Sequence, residues 1–534
     1  MTNTIVVTTA ADSGVGSLRE AIATATTGTT IQFAPNLANQ TIQLTSGSLQ
    51  IAPGQQISID GQGAAGLTIS GGRASRIFFV NSNQDFPAAL MLRNLTLADG
   101  YTPNEGGAIY VTHRGNVSVE QVNFRNNIAD QGGGAIYSAW ETNLTVVSSQ
   151  FQGNQATAAN SERGGGAITF VSPGNLIVRN SEFINNRGIN GGAINSLNGK
   201  LSIQDSRFID NNTLSAYFAN GDPRDYLRGF GGAVFVDRAS SINEASGSVN
   251  ISNTVFERNR GRREGGGVYI YTGTQDQVAI SRTVFKDNQV LGLPTPTSDG
   301  SESLGGGLVV LSNGLNRGLT IDETTFVNNQ AGGQGGGLWT SDTPTTIRNS
   351  TFSGNRVTGS SNAVVGGGLT VNSPTTIINS TIVNNAAGWS GGGLSAGNAP
   401  VNLQNTIFTN NTAANSWGIQ QHTNRELTDL GGNIQFPPKQ TTFWNDVNAT
   451  ANIRLLDPSL GPLEFQISQG QNGQWVHPLL TGSAAINRGV RNGLTTDQLG
   501  RIRTDGSIDS GAFEFGTTAP ATPTATTPLA ATPL

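Results

Sequence analysis

The residues best equipped for chemistry sit in the longest insertion of the chain. Asn220-Gly221-Asp222-Pro223-Arg224-Asp225-Tyr226-Leu227-Arg228 gathers two acids, two arginines and an aromatic. Paired carboxylates are what glycoside hydrolysis uses, and carboxylates also hold calcium. Asp222, Arg224, Asp225, Tyr226 and Arg228 are therefore the candidate ligand contacts, with Asp210 and Asp237 in the flanking segments. The competing reading is a solvated loop whose charges pair with one another, since surface ion pairs are common and weak. Arg258, Arg260, Arg262, Arg263 and Glu264 form a second charged corner, read as a solvated turn rather than an anionic-glycan site. His113, His422 and His477 are too scattered for a zinc site. Glycine triplets such as Gly132-Gly133-Gly134 are not phosphate loops, because no lysine follows and the context is strand. Trp140, Tyr217, Phe218, Trp339, Trp389 and Trp417 stack on sugars if exposed and pack in the core or corners if not. No catalytic set and no metal site emerges.

What positions that insertion is a repeat. A glycine pair or triplet followed by a small or aliphatic residue ends at Gly107, Gly134, Gly166, Gly192, Gly232, Gly267, Gly307, Gly337, Gly368 and Gly393. Alternating with it, an aromatic or isoleucine precedes asparagine by three places, from Phe124 and Asn127 to Phe408 and Asn411. A period of about 25 to 40 residues means stacked coils. After each glycine block come a short strand, a turn, an alternating strand such as 176–179, and a third segment carrying the aromatic and the asparagine. Three strands per coil is the layout of a parallel β-helix, with stacked Phe and Asn columns inside. Glycine-to-aromatic spacing is nearly fixed, whereas aromatic-to-glycine spacing varies from 9 to 24 residues. The variable loops should therefore line one edge of the rod, and any binding face with them.

Before residue 105 the markers are absent, but short strands are expected at 5–8, 30–33, 41–44, 56–60, 67–70, 77–81 and 90–97. Ser17-Leu18-Arg19-Glu20 reads as a capping box opening a helix over 18–26, with Leu18, Ala21, Ile22 and Ala25 on its apolar face. Such a helix plugs the open end of a solenoid. The expected organisation is a cap helix and unmarked coils in 1–104, ten marked coils in 105–411, and closing coils with a C-terminal cap in 412–515. A Pro/Thr-rich tail of linker composition follows in 516–534.

Composition sets the outer limits. Net charge is −5 with 12% charged residues, so no basic field draws nucleic acid. The absence of cysteine excludes disulfides and thiolate metal sites, and fits an oxidising exterior. No basic leader with an apolar core and no long apolar run is present, so membrane insertion by this chain is not expected.

The alternation of GG-[AGLV]-[ILV] with FxxN over 105–411 resembles the repeats of chlamydial polymorphic outer-membrane proteins. It also resembles related bacterial right-handed β-helix proteins of the pectin-lyase-like fold. Asp12 to Ile22 is similar to the SLREA-type start of secreted bacterial β-helix proteins, with Gly16 where one variant has cysteine. Thr496–Arg503 and Asp509–Phe515 resemble the choice-of-anchor Q module, which precedes surface anchors in other proteins. The resemblance implies an all-β, single-stranded right-handed parallel β-helix, secreted or on the cell surface, with no agreed activity. No C-terminal membrane barrel is recognisable, which argues against an autotransporter.

The expected function is a non-catalytic structural or adhesive β-helix that binds an extracellular glycan or a surface protein through loops on one edge. Self-association is left open. The alternative is a polysaccharide lyase or glycoside hydrolase, and only that alternative brings in calcium as a cofactor.

Overall fold

The computed structural model describes residues 3–157, 163–213, 227–240, 246–292, 303–467, 473–503 and 507–516. Over these described residues the chain winds into a parallel β-solenoid of about 14 turns with one α-helix. Each coil pairs in register with the next, so its strands form long ladders. Ile109–Val111 lies on Ile136–Ser138, and Asn143–Val147 on Asn175–Arg179. One ladder holds 28 strands and another 12. The coil has one more element than the three expected. A two-residue strand such as Gln155–Ala156 or Ala386–Ala387 follows the asparagine and builds its own short ladders.

The FxxN signal has a full physical account. Phe124, Phe151, Phe183, Phe208, Phe256, Phe285, Phe326 and Phe352 stack face to face inside the rod, centroids 4.5–5.1 Å apart. The asparagine turns inward one step later. Asn127 Nδ2 donates to Asn154 Oδ1 at 2.9 Å, Asn154 to Asn186 at 3.0 Å, and the relay continues to Asn411. Each Oδ1 also accepts the backbone N–H of the asparagine one coil earlier, as Asn154 does from Asn127 at 3.1 Å. Every amide of this ladder is thereby satisfied. The residue between aromatic and asparagine, as at Asn126, Asn185, Asp210 and Asn384, has positive φ. That explains its Asn, Asp or Gly identity in nearly every coil.

The glycine block is set by close approach rather than by turning alone. A Cβ on Gly107, Gly134, Gly192 or Gly232 would stand 2.0–2.2 Å from a glycine carbonyl oxygen of the next coil. Only glycine lets the backbones nest there.

At the first coil, helix α1 (Leu18–Thr24) buries Leu18, Ala21 and Ile22, while Ala25 is its C-cap rather than a helical position. Ser17 Oγ accepts from Glu20 N at 3.2 Å, and Glu20 Oε2 accepts from Gly16 N at 2.6 Å. Asp12 and Arg19 tie this cap to the coil beneath. Asp12 accepts from Arg19 Nη2 at 2.5 Å and Ser46 N at 2.8 Å, and Arg19 donates to the carbonyls of Gly47 and Ser48. The expected early strands are present within one or two residues, joined by Leu49–Ile51, which the sequence reading missed.

Past Asn411 the ladders continue through Thr428–Asp429, Ile434–Phe436 and Arg454–Leu455. The chain then doubles back along the flank of the rod. Gln474 and Gln498 reach Thr325, Gln498 also reaches Thr351, His477 reaches Ser353, and Ala512 N donates to Thr381 Oγ1. Arg503 is the buried centre of this segment. It pairs with Glu514 and donates to the carbonyls of Thr496 and Gly511.

Candidate functional site

Of the predicted contact residues, Asp222, Arg224, Asp225 and Tyr226 lie outside the described residues, as do Tyr217 and Phe218. Arg228 is described and is 5% exposed at the root of the insertion. That root is clamped: Asn190 Nδ2 donates to Leu227 O at 2.7 Å, Phe230 N to Asn190 Oδ1 at 3.1 Å, and Thr213 Oγ1 to Gly229 O at 3.1 Å. Asp210 is paired with Arg258. Arg258 grips it with two hydrogen bonds of 3.0 Å, which hold the guanidinium pKa above its ordinary value. Lys286 joins the same network through Glu257 at 3.1 Å and through Asp287. These ion pairs are half-exposed and bind one another.

The insertion roots stand on a satellite core outside the rod. Tyr137, Val171, Leu197, Phe235, Tyr269, Leu304 and Val309 form it, with Phe230 and Trp339 packed against it. Phe235 and Tyr269 stack at 5.4 Å, and burial pushes the Tyr269 hydroxyl pKa well up. The sequence reading missed this cluster, although its signal is plain. Directly after the inward Ile, Val or Leu of the glycine motif comes an outward aromatic in five coils: Tyr110, Tyr137, Phe235, Tyr269 and Trp339.

The remaining polar candidates are dispersed. His113 meets Glu141 at 3.2 Å, His422 lies in the core, and His477 bridges Ser353 Oγ and Gly461 O at 2.9 Å each. Among the described residues no three metal-type side chains converge. Trp389 and Trp417 meet edge to face at 5.0 Å, and Trp417 and Trp140 are 54% and 42% exposed.

The extended open surface lies elsewhere, on the outer face of the 28-stranded ladder. One outward position per coil runs in register through Thr30, Ser58, Met91, Ser118, Thr145, Ile177, Ser202, Asn250, Ala279, Thr320, Thr346, Thr376 and Asn402. None of these is charged. Near the N-terminal end this floor widens into a trough of about 430 Å³ lined by Ser58, Met91, Ser118 and Asn143. Near the other end a second trough of about 340 Å³ has Thr320, Thr346, Thr376 and Asn402 as its floor and Pro344, Pro374 and Pro400 as its wall. The prolines stack because each offers only its carbonyl to the ladder, to Leu319, Thr345 and Thr375 respectively. On the earlier coils the wall is an outer amide ladder, Asn175 to Asn143 at 3.1 Å and Asn143 to Asn116 at 3.0 Å. On the opposite bank Arg93 pairs with Glu120 and Arg348 with Asp322, each at 2.9 Å, and Arg179 stands exposed in the same row. Hydroxyls, amides and proline rings at one set per coil offer hydrogen bonds and apolar faces to a long neutral chain, at a repeat of about 4.8 Å.

The rod carries a known repeat. Residues 121–139 and 323–341 match the Chlamydia polymorphic membrane protein repeat. Both stretches run from the aromatic and asparagine through the glycine block. No curated protein matches the chain. Among solved structures, pectate lyase Pel9A is similar at 12% identity over 96% of this chain and 97% of that one, with a TM-score of 0.29. Tailspike protein 3 of bacteriophage CBA120 is 12% identical over 84% of this chain and 61% of that one, TM-score 0.35. PfbA, a surface adhesin of Streptococcus pneumoniae, is 11% identical over 84% and 90%, TM-score 0.33. At such scores these likenesses carry no argument about activity.

Proposed function

We propose that this protein is a binding rod displayed outside the cell, without a catalytic step of its own. Its outer furrow holds an extended, uncharged polysaccharide. The observation that carries the reading is the floor from Thr30 to Asn402, which repeats uncharged side chains in register from coil to coil and is walled by a row of prolines at one end. The floor itself carries no charge, which favours a neutral polymer, while the cations Arg179, Lys200 and Arg317 stand only along its banks. The match to a repeat of polymorphic membrane proteins supports display at a surface.

Calorimetry against neutral and uronate-containing polysaccharides tests it. Binding to a neutral polymer, abolished by Thr346→Arg with Thr376→Arg and unaccompanied by new reducing ends or unsaturated products, is the expected result. Binding to uronates alone, or cleavage of any polymer, would replace this reading with the lyase or hydrolase alternative. Cell fractionation tests the location, and recovery with cytosol would sink it.

A further inference from the structure

The two ends of the rod are finished differently. Helix α1 covers the first coil with buried Leu18, Ala21 and Ile22. At the other end, strand Arg454–Leu455 is laddered to one neighbour only among the described residues, while Thr428–Asp429 is partly roofed by Thr450, which bridges to Leu427 and donates Oγ1 to Asp429 Oδ2 at 2.6 Å. Among the described residues the chain then runs along the flank, bonded to Thr325, Thr351 and Thr381, and meets the last coil at its side, where Arg454 Nη1 donates to Arg488 O at 2.7 Å. Leu427, Ala449 and Ile453 close the interior. Yet the outer apolar residues of that last coil are uncovered: Leu430 is 45% exposed, Phe443 59%, Trp444 90%, Leu455 44% and Leu456 42%.

Trp444 is held in place rather than merely left out. Asp446, 1% exposed, accepts from Gln440 N at 3.0 Å and Thr441 N at 2.6 Å, and its own N–H donates to Phe443 O at 3.0 Å. The ordering entropy of this aromatic loop is met by the fold before any partner arrives. A strand edge beside exposed apolar side chains invites pairing with another edge.

We propose that the C-terminal end of the rod is an interface between two copies of this chain, stacked coil against coil about a two-fold axis. Charge favours a second copy over an acidic or basic partner. The last coil, 423–456, carries Arg425, Lys439 and Arg454 against Glu426, Asp429 and Asp446, so it is neutral in a chain of net charge −5. Two such faces meet without repulsion. Head-to-tail stacking is blocked because α1 occupies the opposite end. The isologous contact remains, with the edge strands running antiparallel across the axis.

Sedimentation velocity of the full chain over roughly 1 to 100 µM should show a monomer–dimer equilibrium. Trp444→Lys with Leu455→Lys, both at exposed sites, should weaken it about tenfold or more with the melting curve unchanged. Because the chain has no cysteine, Ala451→Cys on the end face gives a clean second readout. It should form a disulfide with its own kind under mild oxidation, whereas Val15→Cys, 90% exposed at the other end, should not. A monomer at every concentration overturns the proposal, as does a dimer indifferent to the lysine variants. A mixed disulfide between Ala451→Cys and Val15→Cys would mean head-to-tail stacking and overturn it too. So would dimerisation that appears only after deletion of 517–534, since the tail would then be the native cover.

Discussion

Asn411 donates its carboxamide to Nδ1 of His422 at 3.3 Å, so the internal amide ladder ends on an imidazole. Accepting at Nδ1 leaves the proton on Nε2, which donates to Pro437 O at 3.0 Å. Burial pulls the His422 pKa down from 6.5 to about 4. The unfolded chain therefore binds a proton that the fold refuses between those values, and stability falls as pH drops through that window. The loss is on the order of 3 kcal/mol. Thermal melts from pH 7 to 4 should fall more steeply for the native protein than for His422→Asn, which extends the ladder without a titrating group. Equal slopes would show that His422 is not the acid-sensitive link.

Glu323 titrates in the opposite sense. Burial, with Asp322 and Asp497 nearby, pushes its pKa up to about 7, and Arg282 at 3.7 Å offsets only part of this. The folded carboxyl keeps its proton until about pH 7, while the unfolded one releases it near 4.5. The associated stability is present below 4.5 and lost as pH rises through 7. Glu323→Gln should be more stable than the native protein at pH 8 by about 1 kcal/mol, after allowance for solvent screening, and equal to it near pH 4. Chemical denaturation at the two pH values reads this directly.

Asn259 sits in the middle of the ladder. Its Oδ1 accepts from both N and Nδ2 of Asn211 at 3.0 Å, and its Nδ2 donates to Asn288 Oδ1 and Phe208 O, each at 2.9 Å. Asn259→Ala orphans two buried donors at once and should cost about 3 kcal/mol or more. Because a solenoid is held by nearest-neighbour contacts, the damage should split the melt into two transitions. Hydrogen exchange should place the early opening in the coils around Phe256.

Two glycines separate close approach from backbone conformation. A Cβ on Gly232 would lie 2.0 Å from Gly266 O, whereas Gly292 has φ +75° and open space around it. Gly232→Ala must push two coils apart and should lose more than about 2 kcal/mol. Gly292→Ala bears only the left-handed penalty, about 1 kcal/mol. Comparable urea midpoints for the two variants would contradict this account.

Much of the fold was legible because a solenoid repeats its requirements. Phe183, Asn186 and Gly166 each face the same neighbour one coil up, so each recurs wherever a coil recurs, and the recurrence is visible without coordinates. The flank was harder to read. The residue before the aromatic is Asn123, Gln150, Glu182 and Arg207 in early coils but Val255, Val284, Thr325, Thr351, Thr381 and Ile407 later. From Thr325 on, that change marks where the chain from 457 onward covers the rod, yet it acquires meaning only once that cover is seen. Asp210, which flanks the insertion in sequence, is held by Arg258, 48 residues away, a pairing that no local pattern shows.

The sequence by itself therefore determined the period, the inward Phe and Asn columns, the glycine corner and the capping helix. Each follows from short-range chemistry repeated at fixed spacing. Only the tertiary structure decided which outward residues line up into the neutral furrow, which lie under the returning C-terminal segment, and which stay bare on the last coil. Those outcomes depend on coil register and on contacts more than a hundred residues apart, such as Thr325 with Gln474. No local pattern encodes such a distance.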